Sequence, residues 1–396
     1  MIIGIIAEYN PFHNGHLYQL QKVRKENKNT KIVVCMSSSF VQRGEPAIID
    51  KWSRAKFAVE HGADLVLELP TLFSTQNGEI FAKGGVGILG SFIDALSFGA
   101  EDHINVLSEI NEKIKHNLNN DVVKSYLDLG YSLPAAKEMA MDFLTDDEKN
   151  ILRTPNNILA MSYLNARDEM GFNFDLISHS RKNVGYHEAY KGSFASATYL
   201  RQVIKEDVRT AKNFVPESVY NVLNTTEHNI LENYFEIFKY KLIKENDELK
   251  KVMDYEHGME NRFLNYIDAE SFEDLISLCS TKRYSKARIR RAALSFILGL
   301  DKQLIFNSIG VPYLRVLASN DTGFDIIREI KKTHMVIDKF SKIDELEDEK
   351  IKAIAKQEVK ATDIYNIFYN KKIGEDFTHS PIISLSKLDS NKHCHN

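Results

Sequence analysis

Cysteine is scarce in this chain: Cys35, Cys279 and Cys394 are the three among 396 residues, widely separated and without a Cys-x-x-Cys pair. That spacing excludes a disulfide framework and gives no sign of a zinc site or a redox function. Long apolar runs are missing as well. No stretch reaches the roughly 20 residues of a membrane-spanning helix, and the N-terminal segment has neither a basic n-region nor a cleavage site. A cytoplasmic chain with no membrane contact is therefore expected. Excess positive charge is absent too. The formal net charge of -4 argues against a generally basic nucleic-acid binder, although an average can hide a local patch. No internal repeats are visible. Hydrophobic content of 43% and charged content of 27% are ordinary for a globular protein, and the length suggests two or three domains around a substantial core.

What is present is concentrated at the start. MIIGIIAEYNPFHNGHLYQL reads as a buried strand through Ile2, Ile3, Ile5 and Ile6, a polar loop broken at Asn10-Pro11, and a helix whose apolar spacing begins at Leu17. His13 and His16 thus fall at the carboxyl end of a first strand, beside the amino end of a first helix. In open parallel sheets that crevice binds ligands, and helix N-termini there offer free N–H groups to phosphate.

Strand-like segments recur at 31–41, 63–70 and 94–101, with helical segments at 50–62 and 77–90 between them. This rhythm predicts an α/β fold, a Rossmann-like core with a parallel sheet and right-handed crossovers. Residues 103–150 are polar and helical, a predicted insertion. The alternation resumes with a helix over 155–170, a strand over 174–181 and a helix from Ser196. After about residue 210 the strand pattern stops. The predicted organisation is a nucleotide-binding catalytic domain over 1–210, a mainly α-helical domain over 211–384 and a disordered tail over 385–396.

Several side chains could do chemistry at the sheet edge. Arg43 and Lys51, in a cluster with Gln42, Asp50 and Arg54, would supply fixed positive charge to an anionic substrate, although an Asp50–Arg54 helix pair competes for those two. Gly99 would border the crevice, but an ordinary strand-ending turn explains it equally well. Helix capping accounts for one of Asn156 and Asn157. Arg181 and Lys182 end a strand at the same edge. Ser196, Thr198 and Arg201 place two hydroxyls and a guanidinium on a helix start, an arrangement suited to β- and γ-phosphates. Further on, Lys282, Arg283, Tyr284, Lys286, Arg288, Arg290 and Arg291 form a run without an acid, fitting phosphate-backbone contact with an aromatic for stacking. A solvated helix face is the plain alternative. No dedicated metal site is evident.

The His-x-Gly-His loop and the Ser-x-Thr-x-x-Arg segment, in this order, resemble the nucleotidyltransferase superfamily with the His-x-Gly-His signature. Across most of its length the chain is similar to bacterial tRNA(Met) cytidine acetate ligases, through GIIAEYNPFHNGH, FVQRGEPAIIDKW, ADLVLELP, PNNILA, RKNVGYHE, SATYLR and TKRY. The resemblance implies that ATP and acetate form acetyl-adenylate. Its acetyl group then passes to N4 of the wobble cytidine in the anticodon region of elongator tRNA(Met). It implies ATP contacts from Ala7, Glu8, Tyr9, Asn10, Pro11, Phe12, His13, Asn14, Gly15, His16, Leu17, Tyr18, Gln19 and Leu20, with Gly99, Asn156, Arg181 and Lys182. Mg2+ is expected with ATP, and no protein partner is implied. Ser38-Ser39 depart from the Gly-Asn pair usual in the family. Two rival functions share the same loop: an adenylyltransferase acting on a phosphorylated small molecule, and a non-catalytic nucleotide- or RNA-binding module.

Overall fold

The computed structural model describes residues 1–180, 194–310, 313–369 and 371–384. Arg181, Lys182 and the 385–396 tail lie outside the described residues. The chain opens with β1 (Ile2–Ala7), α1 (Asn14–Glu26) and β2 (Lys31–Ser37), followed by a short hairpin of β3 (Phe40–Val41) and β4 (Glu45–Pro46). Next come α2 (Lys51–Glu60), β5 (Leu65–Leu69), α3 (Thr71–Ser74), α4 (Gly78–Leu89) and β6 (Ala95–Ala100). The predicted helical insertion is present as α5 (Ile104–Asn117), α6 (Asn120–Asp128), α7 (Leu133–Met139) and α8 (Asp146–Ile151). α9 (Pro155–Glu169), β7 (Asp175–Ser180) and α10 (Ala197–Glu206) complete the α/β rhythm.

A mainly helical stretch follows: α11 (Glu217–Thr225), α12 (Phe235–Glu245), α13 (Met259–Asn265), α14 (Phe272–Cys279), α15 (Lys286–Leu298) and α16 (Lys302–Asn307). Strands then return, against expectation. β8 (Tyr313–Asn320) is followed by α17 (Asp321–Ile330), β9 (Met335–Ile337), α18 (Glu349–Ile367), α19 (Glu375–Thr378) and β10 (Ile382–Ser384). The main sheet runs β10-β8-β5-β2-β1-β6-β7, with β9 beside β8. Its pairs are parallel except β5–β8, where Leu65 faces Ser319 and Val66 faces Ala318. The reading that strands end near residue 210 is thereby corrected.

β1 and β2 are central, and Ile3, Ile5, Val33, Val34 and Cys35 are buried, as a strand covered on both faces requires. Arg54, wholly buried on α2, fastens their carboxyl ends. Its guanidinium donates to the carbonyls of Glu8 (2.7 Å), Ser37 (2.9 Å), Ser38 and Ile49 (3.1 Å). The competing Asp50–Arg54 surface pair is not among the ion pairs of the described residues; Asp50 caps α2, accepting from the Ser53 N–H at 2.9 Å. Among the described residues no helix is long and apolar enough to cross a membrane.

Between β5, β8 and the C-terminal helices lies a buried cluster of charges. Lys51 Nζ meets Glu68 at 2.7 Å and Asp376 at 2.9 Å, and Arg315 meets the same two carboxylates at 3.1 and 2.9 Å. Glu358 is the fifth member, 3.8 Å from Lys51. Two cations balance two carboxylates and leave the third in excess. Burial, and then the neighbouring Glu68, push the Glu358 carboxyl up to about 7 from its ordinary 4.5. A carboxyl raised on folding carries a penalty that is absent well below its unfolded pKa and complete above its folded one. Its contribution to stability therefore falls as pH rises from about 4.5 to about 7. Urea denaturation at pH 5 and pH 8 checks this. Glu358→Gln should compare more favourably with the wild type at pH 8, and an equal difference at both pH values would contradict it.

Candidate active site

The loop between β1 and α1 folds as it does because the two histidines cap the helix reciprocally. His13 is the N-cap residue, and its Nδ1 accepts from the Gly15 N–H at 3.0 Å. His16 Nδ1 in turn accepts from the His13 N–H at 3.2 Å. This is a capping box built from imidazoles in place of Ser and Glu. Gly15 has to be small, since a Cβ there would stand 2.8 Å from His13 Cε1. The two rings stack with centroids 3.6 Å apart, and Tyr9 sets its edge against His16 at 4.8 Å. Because each Nδ1 accepts a backbone N–H, the neutral rings carry their proton on Nε2. Asn14 anchors the loop from outside, its N–H donating to the Phe214 carbonyl at 2.9 Å and its amide to that of Asn213 at 3.1 Å.

The histidines border a cavity of about 430 Å³. Its walls include Glu8, Gln19, Lys22, Arg43, Gly99 and His179, together with Ser196, Thr198 and Arg201. Ser196 is the N-cap of α10 and accepts from the Tyr199 N–H at 3.2 Å, which sets the helix start against the cavity. A second cavity of about 210 Å³ shares Glu8, His16, Arg43 and Gly99, and adds Ala7, Tyr9, Asn10 and Asn156. Two imidazole donors, three cationic side chains and the N-termini of α1 and α10 around a single crevice form an anion site matched to a polyphosphate.

Residues 1–379 match the family model described as HIGH Nucleotidyl Transferase. A tRNA(Met) cytidine acetate ligase of Clostridium perfringens is 35% identical over 404 residues, covering 96% of this chain and 99% of that protein. One from a Thermoanaerobacter species is 36% identical, covering 97% and 100%. Among solved structures, Thermotoga maritima TmcAL bound with alpha-thio ATP has a TM-score of 0.88 and 29% identity, covering 97% of this chain and 100% of that one. The chain belongs to the tRNA(Met) cytidine acetate ligase family.

Most residues singled out in the sequence meet at this crevice, and several do not. Phe12 and Leu20 are fully buried in the core, and Pro11, Asn14 and Leu17 support the loop without lining either cavity. Lys51 is the main correction. It is held in the buried charge cluster and lines neither cavity. The capping account of the Asn pair fails as well, because Thr154 is the N-cap of α9. Asn157 instead clamps the loop after β6, its Oδ1 accepting from Glu101 N (3.0 Å) and Asp102 N (3.1 Å), while Asn156 donates to Glu101. Lys22 and His179 were not anticipated. Lys22 follows His16 and Gln19 at helical spacing on one face, a signal the sequence did carry. His179 faces Gly99 only through the β6–β7 register.

The basic run is also redrawn, because acids distant in sequence meet it. Arg283 pairs with Glu256 (2.7 Å), Arg291 with Asp254 (2.7 Å), and Arg288 with both acids. Tyr284 is covered by Arg262, Arg283 and Arg288, each within 6 Å of its ring centroid, and is no open stacking platform. Arg290 reaches the crevice indirectly. It meets Glu45 at 3.1 Å and Glu273 at 2.8 Å, and the other Glu45 oxygen meets Arg201 Nε at 3.3 Å. The Asn10 carbonyl accepts from Arg201 Nη1 at 3.0 Å, so the guanidinium is anchored on two sides. Gly44 brings this loop onto α15: its φ is +74°, and a Cβ would stand 2.8 Å from Arg291 N. Glu45→Gln and Arg290→Gln should therefore each weaken nucleotide binding, by roughly tenfold for a loosened charge-assisted anchor. Calorimetric titration with ATP in the absence of RNA is the check, and unchanged affinity in both variants would refute the linkage.

Proposed function

We propose that the protein condenses ATP with acetate to acetyl-adenylate, releasing pyrophosphate, and transfers the acetyl group to N4 of the wobble cytidine of elongator tRNA(Met). The supporting observation is the crevice itself, where His13, His16, Arg43 and Arg201 surround a cavity of nucleotide size in a chain alike its relatives from end to end. The adenylate-forming step needs no covalent enzyme intermediate. Acetate must be held in line with the α-phosphorus while donors neutralise the charge growing on the phosphate oxygens. In this reading the Nε2–H groups of the histidines serve the α-phosphate, and Ser196, Thr198 and Arg201 serve the departing pyrophosphate. Mg2+ would arrive with the triphosphate. Among the described residues no group of three or more His, Cys, Asp or Glu side chains could hold a metal. RNA contact is assigned to the exposed Lys282 and Lys286 ahead of the paired arginines, an electrostatic contact that salt weakens.

The deciding experiment incubates the protein with ATP, labelled acetate and an elongator tRNA(Met) transcript, then digests the RNA to nucleosides. Label in N4-acetylcytidine at the wobble position alone supports the proposal. ATP–pyrophosphate exchange that demands a phosphorylated small molecule instead of acetate would favour the adenylyltransferase rival. Absence of any exchange would favour the non-catalytic one.

A further inference from the structure

The second step raises a proton problem that the anion site does not solve. When the cytidine N4 lone pair attacks the acetyl carbon, the new C–N bond forms and the bond from that carbon to the adenylate oxygen breaks. AMP leaves with the electron pair, and the nitrogen must lose a proton. The catalytic histidines are poorly placed to take it. Each Nδ1 is occupied by a backbone N–H, at 3.0 and 3.2 Å, and in the neutral ring each Nε2 already carries hydrogen. His179 turns Nε2 to Ser97 Oγ at 3.0 Å and Nδ1 toward Glu26 at 4.0 Å.

One carboxylate remains. Glu8 is the single acidic side chain lining either cavity among the described residues, and it lines both. In a crevice that must admit ATP and acetate, both anions, a carboxylate hinders binding. It suits proton removal. One oxygen is fixed by the Gln42 N–H at 3.1 Å, which orients the group in the wall common to the two cavities. Burial raises its pKa above the ordinary value against the opposing fields of Arg201 and Arg43, which makes it a stronger base than an exposed glutamate.

We propose that Glu8 is the general base of the transfer step, accepting the N4 proton of the acceptor cytidine as AMP departs. This rests on the adenylate reading of the site, and the test separates the two. Glu8→Gln keeps an oxygen for the Gln42 N–H and removes the basicity. Two rates are measured on the full-length protein: acetate-dependent ATP–pyrophosphate exchange, and acetylation of tRNA from chemically prepared acetyl-adenylate, which bypasses the first step. The ratio of transfer to exchange should fall by about a hundredfold or more in Glu8→Gln, and Glu8→Asp should regain part of it. An unchanged ratio, with both rates lowered together or neither, would overturn the proposal and leave Glu8 as part of the nucleotide wall. If the wild type shows acetylation from acetyl-adenylate but no acetate-dependent exchange, the adenylate reading fails while the role of Glu8 is still decided by the transfer rate. If the wild type shows neither, both fall.

Discussion

Substituting alanine for His16 should lower acetate-dependent ATP–pyrophosphate exchange by about 10²–10³-fold, the range seen when one preorganised donor to a developing oxyanion is removed. The same change also removes half of the imidazole capping box, because His16 Nδ1 accepts the His13 N–H. A lost N-cap bond costs about 0.5–2 kcal/mol. Stability and rate therefore both fall, and a second variant separates them. In His16→Gln the amide oxygen can accept the His13 N–H, as Glu or Gln does in an ordinary capping box. That variant should recover most of the melting temperature but little of the rate, since the glutamine that accepts the His13 N–H has no donor where the imidazole holds its Nε2–H. Exchange within a few-fold of wild type in His16→Ala would remove His16 from the chemistry. Full recovery of rate in His16→Gln would reduce its role to capping.

The first motif was legible because everything it needs is local. Strand, loop and helix occupy the first 26 residues, and the capping bonds of His13 and His16 join residues within three positions of each other. The α/β rhythm through β7 was legible for the same reason. Interactions across long separations were not. Lys51 sits in a segment rich in chemistry-bearing residues, yet Thr362 and Asp376, which explain it, lie 311 and 325 positions away. The arginines of α15 seemed unopposed because their acids come from Asp254, Glu256 and Glu273, and from Glu45 across the chain. β8 is a short apolar stretch after a hundred residues of helical spacing. Only its antiparallel register against β5 makes it part of the nucleotide sheet.

Replacing Lys51 with methionine should cost about 3–5 kcal/mol of stability, the range for removing one partner from a buried ion pair. The cluster joins five elements: Lys51 on α2, Glu68 on β5, Arg315 on β8, Glu358 on α18 and Asp376 on α19. Without the ammonium, Glu68, Asp376 and Glu358 face each other with Arg315 as the single remaining cation, in surroundings that exclude water. The unfavourable charge, rather than the lost volume, dominates, because methionine fills nearly the same space. Adding Glu68→Gln removes one of the unbalanced carboxylates, so the double variant should be more stable than the sum of the single losses. Both are measured by urea denaturation at pH 8, above the value of about 7 to which Glu358 is raised in the intact cluster. The folded Lys51→Met protein should keep the wild-type KM for ATP at low temperature, because its cation lies outside the crevice. A tenfold rise in KM with stability unchanged would return Lys51 to the active site and make the buried cluster incidental to folding.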